Sequence, residues 1–83
     1  NSPPTLEVIK PSENYVATVN KVEVAGKTDS DATVKVNNQL VLVGDDGVFN
    51  GEIEVFEGTK EITIIATSRS GKQTKIIRDI IVK

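Results

Sequence analysis

The sequence predicts an all-β domain, folded as an antiparallel β-sandwich of about seven strands. Three observations support this prediction. Short runs of alternating apolar and polar residues follow one another along the chain, as expected for half-buried strands. Polar turns separate the runs at Asn37-Asn38, Asp46-Gly47 and Ser70-Gly71. Val and Ile, which favour strands, dominate the apolar residues, and no ten-residue window repeats apolar residues at helical spacing.

The N-terminal part of the chain predicts a linker and one interrupted strand. Residues 1–4 contain two prolines and are interpreted as a linker, and residues 5–83 as a single domain. The first strand covers residues 5–9. Pro11 interrupts it, because proline cannot donate a hydrogen bond to a central ladder. We expect pairing to resume at residues 15–17 on a different edge.

A second group of strands follows in the middle of the chain. Alternating valines predict strands at residues 21–28 and 33–36. Asn tolerates a positive φ, so Asn37-Asn38 predicts a two-residue hairpin turn into a return strand at residues 39–43.

Three longer strands complete the predicted sandwich, at residues 48–56, 61–68 and 73–82. Their alternation gives each strand one apolar face, and the spacing of the turns is typical of a sandwich. The predicted core comprises Leu6, Val8, Val22, Val24, Val34, Val36, Phe49, Ile53, Val55, Ile62, Ile64, Ala66 and Val82.

Composition excludes several classes of function. The chain has no His and no Cys, so the commonest general base, the best nucleophile and any disulfide are absent. The net charge is −2 with both signs interspersed, which argues against nucleic acid binding. Lys72, Lys75 and Arg78 are interpreted as a solvated strand edge, with an anion site as the alternative. We expect no transmembrane insertion, no signal peptide and an origin within a longer protein.

Carboxylates remain as candidate reactive or metal-binding groups. Glu52 and Glu54 lie two apart on one strand face, a pair that could support acid–base chemistry but is better explained as a solvated face. The loop aspartates Asp29, Asp31, Asp45 and Asp46 offer oxygen atoms of the kind that calcium prefers, although their spacing matches no calcium loop. The sequence therefore predicts no catalytic residue, no cofactor and no metal site, and leaves calcium binding by these aspartates open.

Three aromatic side chains are available for stacking on a sugar. Phe49 and Phe56 are seven residues apart, so alternation places them on opposite faces of one strand. Phe49 is predicted to fill the core. Phe56 and Tyr15 are the remaining candidates for a carbohydrate platform.

Apolar residues on both faces of the last strands suggest a partner surface. Ile65, Ile77 and Ile81 fall on the face opposite the predicted core. One explanation is a bulge near Arg78-Asp79 that exchanges the two faces, together with scattered surface apolar residues. The other is an outer patch that docks a neighbouring domain or another chain.

Several segments together resemble bacterial immunoglobulin-like domains, of the subtype found as an accessory domain of glucodextranase and of many cell-surface proteins. The resemblance covers residues 4–82. It is carried by residues 24–28 (VAGKT), 32–37 (ATVKVN), 46–49 (DGVF), 57–58 (EG) and 62–72 (ITIIATSRSGK).

The resemblance implies an immunoglobulin-like β-sandwich in a secreted or cell-surface protein, whose parent could be membrane-anchored. Its expected role is a non-catalytic spacer or accessory domain beside neighbouring domains. The alternative role is a binding module for a polysaccharide, such as a cell-wall glycan, or for a protein.

The chain departs from the family pattern at two turns. The family has Asn after Glu57-Gly58, where this chain has Thr59-Lys60. It has Asp and Asn around the final glycine, where this chain has Ser68 and Lys72. We therefore expect these turns to lack side-chain-to-backbone bonds, and any metal site that needs Asp at position 68 to be lost.

Overall fold

The structure, a computed structural model, describes residues 3–83 and contains only strands and turns there. Eight strands form two sheets that pack face to face, so the predicted sandwich is confirmed with eight strands rather than seven. The strands are β1 (Leu6–Lys10), β2 (Tyr15–Ala17), β3 (Lys21–Thr28), β4 (Thr33–Val36), β5 (Gln39–Val41), β6 (Val48–Glu54), β7 (Glu61–Thr67) and β8 (Gln73–Val82).

One sheet has three strands in the order β1-β3-β6, and the other has five in the order β2-β8-β7-β4-β5. All neighbours pair antiparallel except β2 and β8, which are parallel. The sandwich is therefore antiparallel, as predicted, apart from this one short contact. β1 already runs in the same direction as β8, with Pro4 beside Thr74 and Val8 beside Arg78. The chain keeps this direction after Pro11, so β2 lies parallel beside the end of β8.

The first strand divides between the sheets at Pro11, as the sequence predicted. Pro11 is buried, and the peptide bond that precedes it is cis. Asn14 adopts a positive φ of 61°, and its N–H donates to the carbonyl of Asp79 at 2.8 Å. The chain thereby leaves the edge of the three-stranded sheet and joins the edge of the five-stranded sheet at Tyr15.

The core is aliphatic and is centred on Phe49. This ring lies opposite Gly26 in the β3–β6 ladder, where the glycine leaves room for it. The predicted core residues are buried except Leu6 and Val82, which are partly buried and pack against the core. Among the buried hydrophobic residues of the core, the sequence analysis omitted Ala17, Ala32, Val41 and Ile80.

The last two strands pair without interruption from Glu61 opposite Asp79 to Thr67 opposite Gln73. The proposed bulge near Arg78-Asp79 is therefore absent, and this part of the first explanation is wrong, whereas its other part, scattered surface apolar residues, is not contradicted. Because the register is continuous, Ile80 is buried in the core while Ile81 is exposed.

One prediction about the turns is confirmed and another is wrong. Asn37 and Asn38 have φ angles of 49° and 69°, as the hairpin prediction requires. The expectation that the departures from the family pattern remove side-chain bonds is wrong. Thr59 Oγ1 accepts a hydrogen bond from Phe56 N at 3.1 Å, and Ser68 Oγ accepts one from Lys72 N at 3.2 Å.

The two ends of the described chain lie at opposite ends of an elongated body of 40 × 19 × 18 Å. The carbonyl of Pro4 accepts a hydrogen bond from the hydroxyl of Thr74, near the start of β8. Lys83 follows the end of β8, and its N–H donates a hydrogen bond to the carbonyl of Ala17. Strands rise about 3.3 Å per residue, so the length of β8 separates these two anchor points by roughly 26 Å. The linker assigned to residues 1–4 stays a prediction, because Asn1 and Ser2 lie outside the described residues.

Candidate functional site

The outer face of the three-stranded sheet is charged. Lys10 Nζ lies 3.1 Å from Glu23 Oε1, and both side chains are about half exposed. Glu23 is directly opposite Glu52 in the ladder, and Lys21 is opposite Glu54. The candidate carboxylate pair Glu52 and Glu54 is exposed beside a shallow groove of about 230 Å³. This arrangement matches the solvated strand face that the sequence favoured.

The outer face of the five-stranded sheet carries the three predicted partner residues. Ile77 is 42% exposed and Ile81 is 49% exposed, whereas Ile65 is half-buried. We call these three residues the outer isoleucine face. Ile81 lies opposite the exposed Val16 of β2, which the sequence analysis did not single out.

Charged residues divide the outer isoleucine face into two apolar areas. Ile65 sits in the ladder between Lys35 and Lys75. Asp79 lies between Ile77 and Ile81 along β8, directly opposite Glu61 in the β7–β8 ladder. The face therefore presents a basic row beside Ile65 and an acidic row four residues further along the strands.

A polar groove of about 440 Å³ adjoins Ile65. Asn37, Asn38, Glu61 and Thr63 supply its other walls. Asn37 Oδ1 accepts the N–H of Thr63 at 2.9 Å, which fixes the hairpin against β7.

A second concave site lies where the first strand changes sheets. It has a volume of about 270 Å³ and is lined by Ile9, Lys10, Pro11, Ser12, Tyr15 and Glu23. Tyr15 is 41% exposed there. We call this site the Tyr15 groove. The sequence identified Tyr15 as an aromatic platform, but it gave no sign that Glu23, from a different strand, would stand beside it.

Phe49 lies in the core as predicted, but the prediction that Phe56 belongs to the same strand is wrong, because β6 ends at Glu54. Phe49 is buried, and Phe56 is 63% exposed in the loop that follows β6. The hydrogen bond from Phe56 N to Thr59 Oγ1, together with one from Thr59 N to Phe56 O at 2.9 Å, holds the backbone of this loop.

The loop aspartates belong to neighbouring turns. Thr28 N donates to Gly47 O at 2.8 Å, which brings the loop after β3 against the loop before β6. Asp46 Oδ1 accepts the N–H of Val48 at 3.1 Å within its own turn. Within residues 3–83, no three acidic side chains come together in a group that could hold a metal ion.

Arg78 corrects the interpretation of the C-terminal basic residues. It shares the inward face of β8 with Ile80, so its guanidinium turns towards β1 instead of into solvent. Its side chain is 27% exposed, and Nη2 donates to the carbonyl of Val8 at 3.3 Å. Nη1 lies 3.9 Å from Glu13 Oε2, while the buried Nε has no hydrogen-bond partner in the described part of the chain.

Comparison with known proteins gives one family match. The family model described as glucodextranase, domain B, matches residues 4–83, which is nearly the whole chain. A search of the curated proteins gives no match. In the portion of the chain that the structure covers, no helix has the length and apolar character needed to cross a membrane.

Proposed function

Because the chain belongs to the glucodextranase domain B family, we propose that it is a non-catalytic accessory domain that holds its neighbours apart in a larger bacterial secreted or cell-surface protein. The observation that carries this proposal is the position of the two chain ends. Their anchor points, near Thr74 and Ala17, are separated by roughly 26 Å along β8 in a body 40 Å long. A neighbouring domain attached at one of these points is thereby held away from one attached at the other.

Hydrogen bonds fix both points of attachment. Thr28 Oγ1 donates to Thr5 O at 2.6 Å, and Thr74 Oγ1 donates to Pro4 O at 2.6 Å, each from a different sheet. At the other end, Lys83 N donates to Ala17 O at 3.0 Å. The chain therefore enters and leaves in defined directions, which a spacer needs if it is to set orientation as well as distance.

The spacer role is tested by distance measurements in the parent protein. Spin labels placed in the two neighbouring domains give the distribution of the distance between those domains. This distribution is measured in the native parent protein and in a variant whose residues 4–83 are replaced by a Gly/Ser linker of equal length. An 80-residue linker of this type has a mean end-to-end distance of about 45–54 Å but a broad distribution. We expect a narrow distribution for the native protein. Equal widths for the two proteins would overturn the proposal.

The outer isoleucine face supports a second function, docking of a protein partner. Ile65 lies between Lys35 and Lys75, so the partner surface that fits it has an aliphatic side chain flanked by carboxylates. On the outer face of the other sheet, Lys10 pairs with Glu23 and Lys21 lies opposite Glu54 in the ladder. This difference favours the five-stranded sheet as the surface that meets a neighbouring domain of the same polypeptide.

Isoleucine methyl resonances test this docking. We expect the methyl signals of Ile65 and Ile77 to shift between the isolated domain and the parent protein, and Ile65→Lys to abolish the difference without unfolding the domain. The exposed Ile9, on the other sheet, serves as the control. Unchanged signals would contradict intramolecular docking. A monomeric isolated domain at high concentration would also exclude a second copy as the partner.

A further inference from the structure

We infer that the Tyr15 groove is a binding subsite for one neutral hexopyranose ring of a polysaccharide. This inference goes beyond the spacer role and does not depend on it. It rests on the shape of the groove, on the two kinds of surface inside it and on the balance of charge at its rim.

The apolar part of the groove suits the C–H face of a sugar ring. Tyr15, Ile9 and the buried Pro11 contribute side chains from both sides of the strand break. An aromatic face carries partial negative charge, which attracts the polarised C–H groups of a pyranose. The volume of about 270 Å³ is slightly below the 300–1,000 Å³ typical of pockets for drug-sized ligands. The groove therefore accommodates one ring of a longer chain that continues into solvent.

The polar part of the groove suits a pair of adjacent hydroxyl groups. Lys10 Nζ and Glu23 Oε1 stand 3.1 Å apart, which places a donor and an acceptor side by side. Lys10 keeps further N–H groups, and within residues 3–83 the second carboxylate oxygen of Glu23 has no hydrogen-bond partner. Neighbouring sugar hydroxyls can accept from the ammonium and donate to the carboxylate. The hydroxyl of Ser12 adds a third polar group.

The balance of charge selects the ligand. One cation and one anion line the groove, so an anionic ligand gains from Lys10 but is repelled by Glu23. A purely apolar ligand would cover the ion pair without replacing its hydrogen bonds to water. A neutral polyhydroxylated ring avoids both costs.

The groove is held in shape before any ligand arrives. Tyr15 N donates to Ser12 O at 3.2 Å, and β2 pairs with β8 from Tyr15 onwards. Glu13 Oε1 accepts the N–H of Asp79 at 2.9 Å, which fastens the turn to β8. A preformed site loses little conformational entropy on binding. Even so, a single shallow subsite is expected to bind with a dissociation constant of only about 1 mM.

Amide and side-chain chemical shifts of the isolated domain provide the test. The probes are maltotriose, cellotriose, mannotriose and chitotriose, each added up to about 20 mM, well above the expected dissociation constant. Cyclohexanol, with a six-membered ring and one hydroxyl, is the control ligand. We expect at least one trisaccharide to shift residues 9–15 together with Glu23, and cyclohexanol to leave them unchanged.

Variants connect the shifts to the proposed contacts. Tyr15→Ala should weaken binding about tenfold or more, because a ring stacked on an aromatic side chain contributes on the order of 1–3 kcal/mol to binding. Tyr15→Phe should retain most of the binding, and Glu23→Gln should weaken it while leaving the amide spectrum folded. Phe56→Ala, which removes the other exposed aromatic ring, should have no effect.

Three results would overturn the inference. They are the absence of shifts with all four trisaccharides, shifts that fall elsewhere on the domain, and an equal response to cyclohexanol, which would make the groove a general apolar site. None of them bears on the spacer role, because that role depends on where the chain enters and leaves the domain and not on what the groove binds.

Discussion

Replacing Gly26 by alanine should destabilise the domain more than any other glycine-to-alanine change in a strand. A Cβ atom at this position would overlap the carbonyl oxygen of Glu7 and would stand 2.6 Å from Phe49 Cζ. The first contact is with backbone in the neighbouring strand and the second is with the largest side chain of the core. Neither neighbour can turn away, because both lie in paired strands.

The size of the effect follows from these two contacts. Overpacking a core costs about 1–3 kcal/mol, and a backbone overlap places Gly26→Ala at the upper end. The smaller entropy of the unfolded alanine chain returns about 0.4–1 kcal/mol. We therefore expect a net loss of about 2–3 kcal/mol in the free energy of unfolding. The total free energy of unfolding of an 83-residue domain is about 4–12 kcal/mol, so this loss is a large part of it. For a domain of this size, a loss of about 2–3 kcal/mol lowers Tm by roughly 8–24 °C.

Urea denaturation followed by far-ultraviolet circular dichroism measures this loss. The matched control is Gly51→Ala in β6, where the new Cβ would meet Val41 Cγ1 at 3.4 Å, an ordinary contact distance. Its expected effect is within about 1 kcal/mol of zero in either direction. The reasoning would be refuted if Gly26→Ala unfolded at the wild-type urea concentration, or if both variants lost the same stability.

Four further substitutions, two of them a matched pair in one turn, give distinct expected results. Asn38→Gly should stabilise the domain by up to about 1 kcal/mol, because Asn38 has a positive φ that glycine adopts readily. Asn37→Gly should not stabilise it, because this change removes the side-chain oxygen that accepts the N–H of Thr63 in β7. Thermal melts of the two variants measure the difference. Thr28→Val should cost about 1–3 kcal/mol by leaving the carbonyl of Thr5 without its donor, with faster amide exchange at the start of β1 as the measurement. Arg78→Met should change the free energy of unfolding by less than about 1 kcal/mol, because it keeps the apolar stem and removes a buried unpaired nitrogen. A loss above about 2 kcal/mol in urea titration would show that the guanidinium contacts stabilise the fold.

The alternation of valine and isoleucine was sufficient to predict the strands and most of the core. Each strand buries one face, so a period of two identifies the inward residues without knowledge of the partner strand. The hairpin at Asn37-Asn38 was predictable for a similar reason, because the φ preference of asparagine is a local property. The strand break at Pro11 is also local, since proline lacks the N–H.

Features that depend on which strands meet could not be obtained in the same way. The parallel pairing of β2 depends on its position beside β8, some sixty residues away in the chain. Arg78 was placed in solvent from its charge, although its even-numbered position puts it on the inward face. The Tyr15 groove combines residues of three strands, so its composition was not visible in any one segment.

The parallel contact between β2 and β8 gives the domain a way to resist being stretched. A pull on the two chain ends draws β1 and β2 towards one end of the body and β8 towards the other. The force then acts along the strands, in shear, so that the bonds joining residues 15–17 to residues 80–82 must break together instead of opening one after another. A domain joined in this way transmits tension between its neighbours and keeps its length until the whole contact gives way.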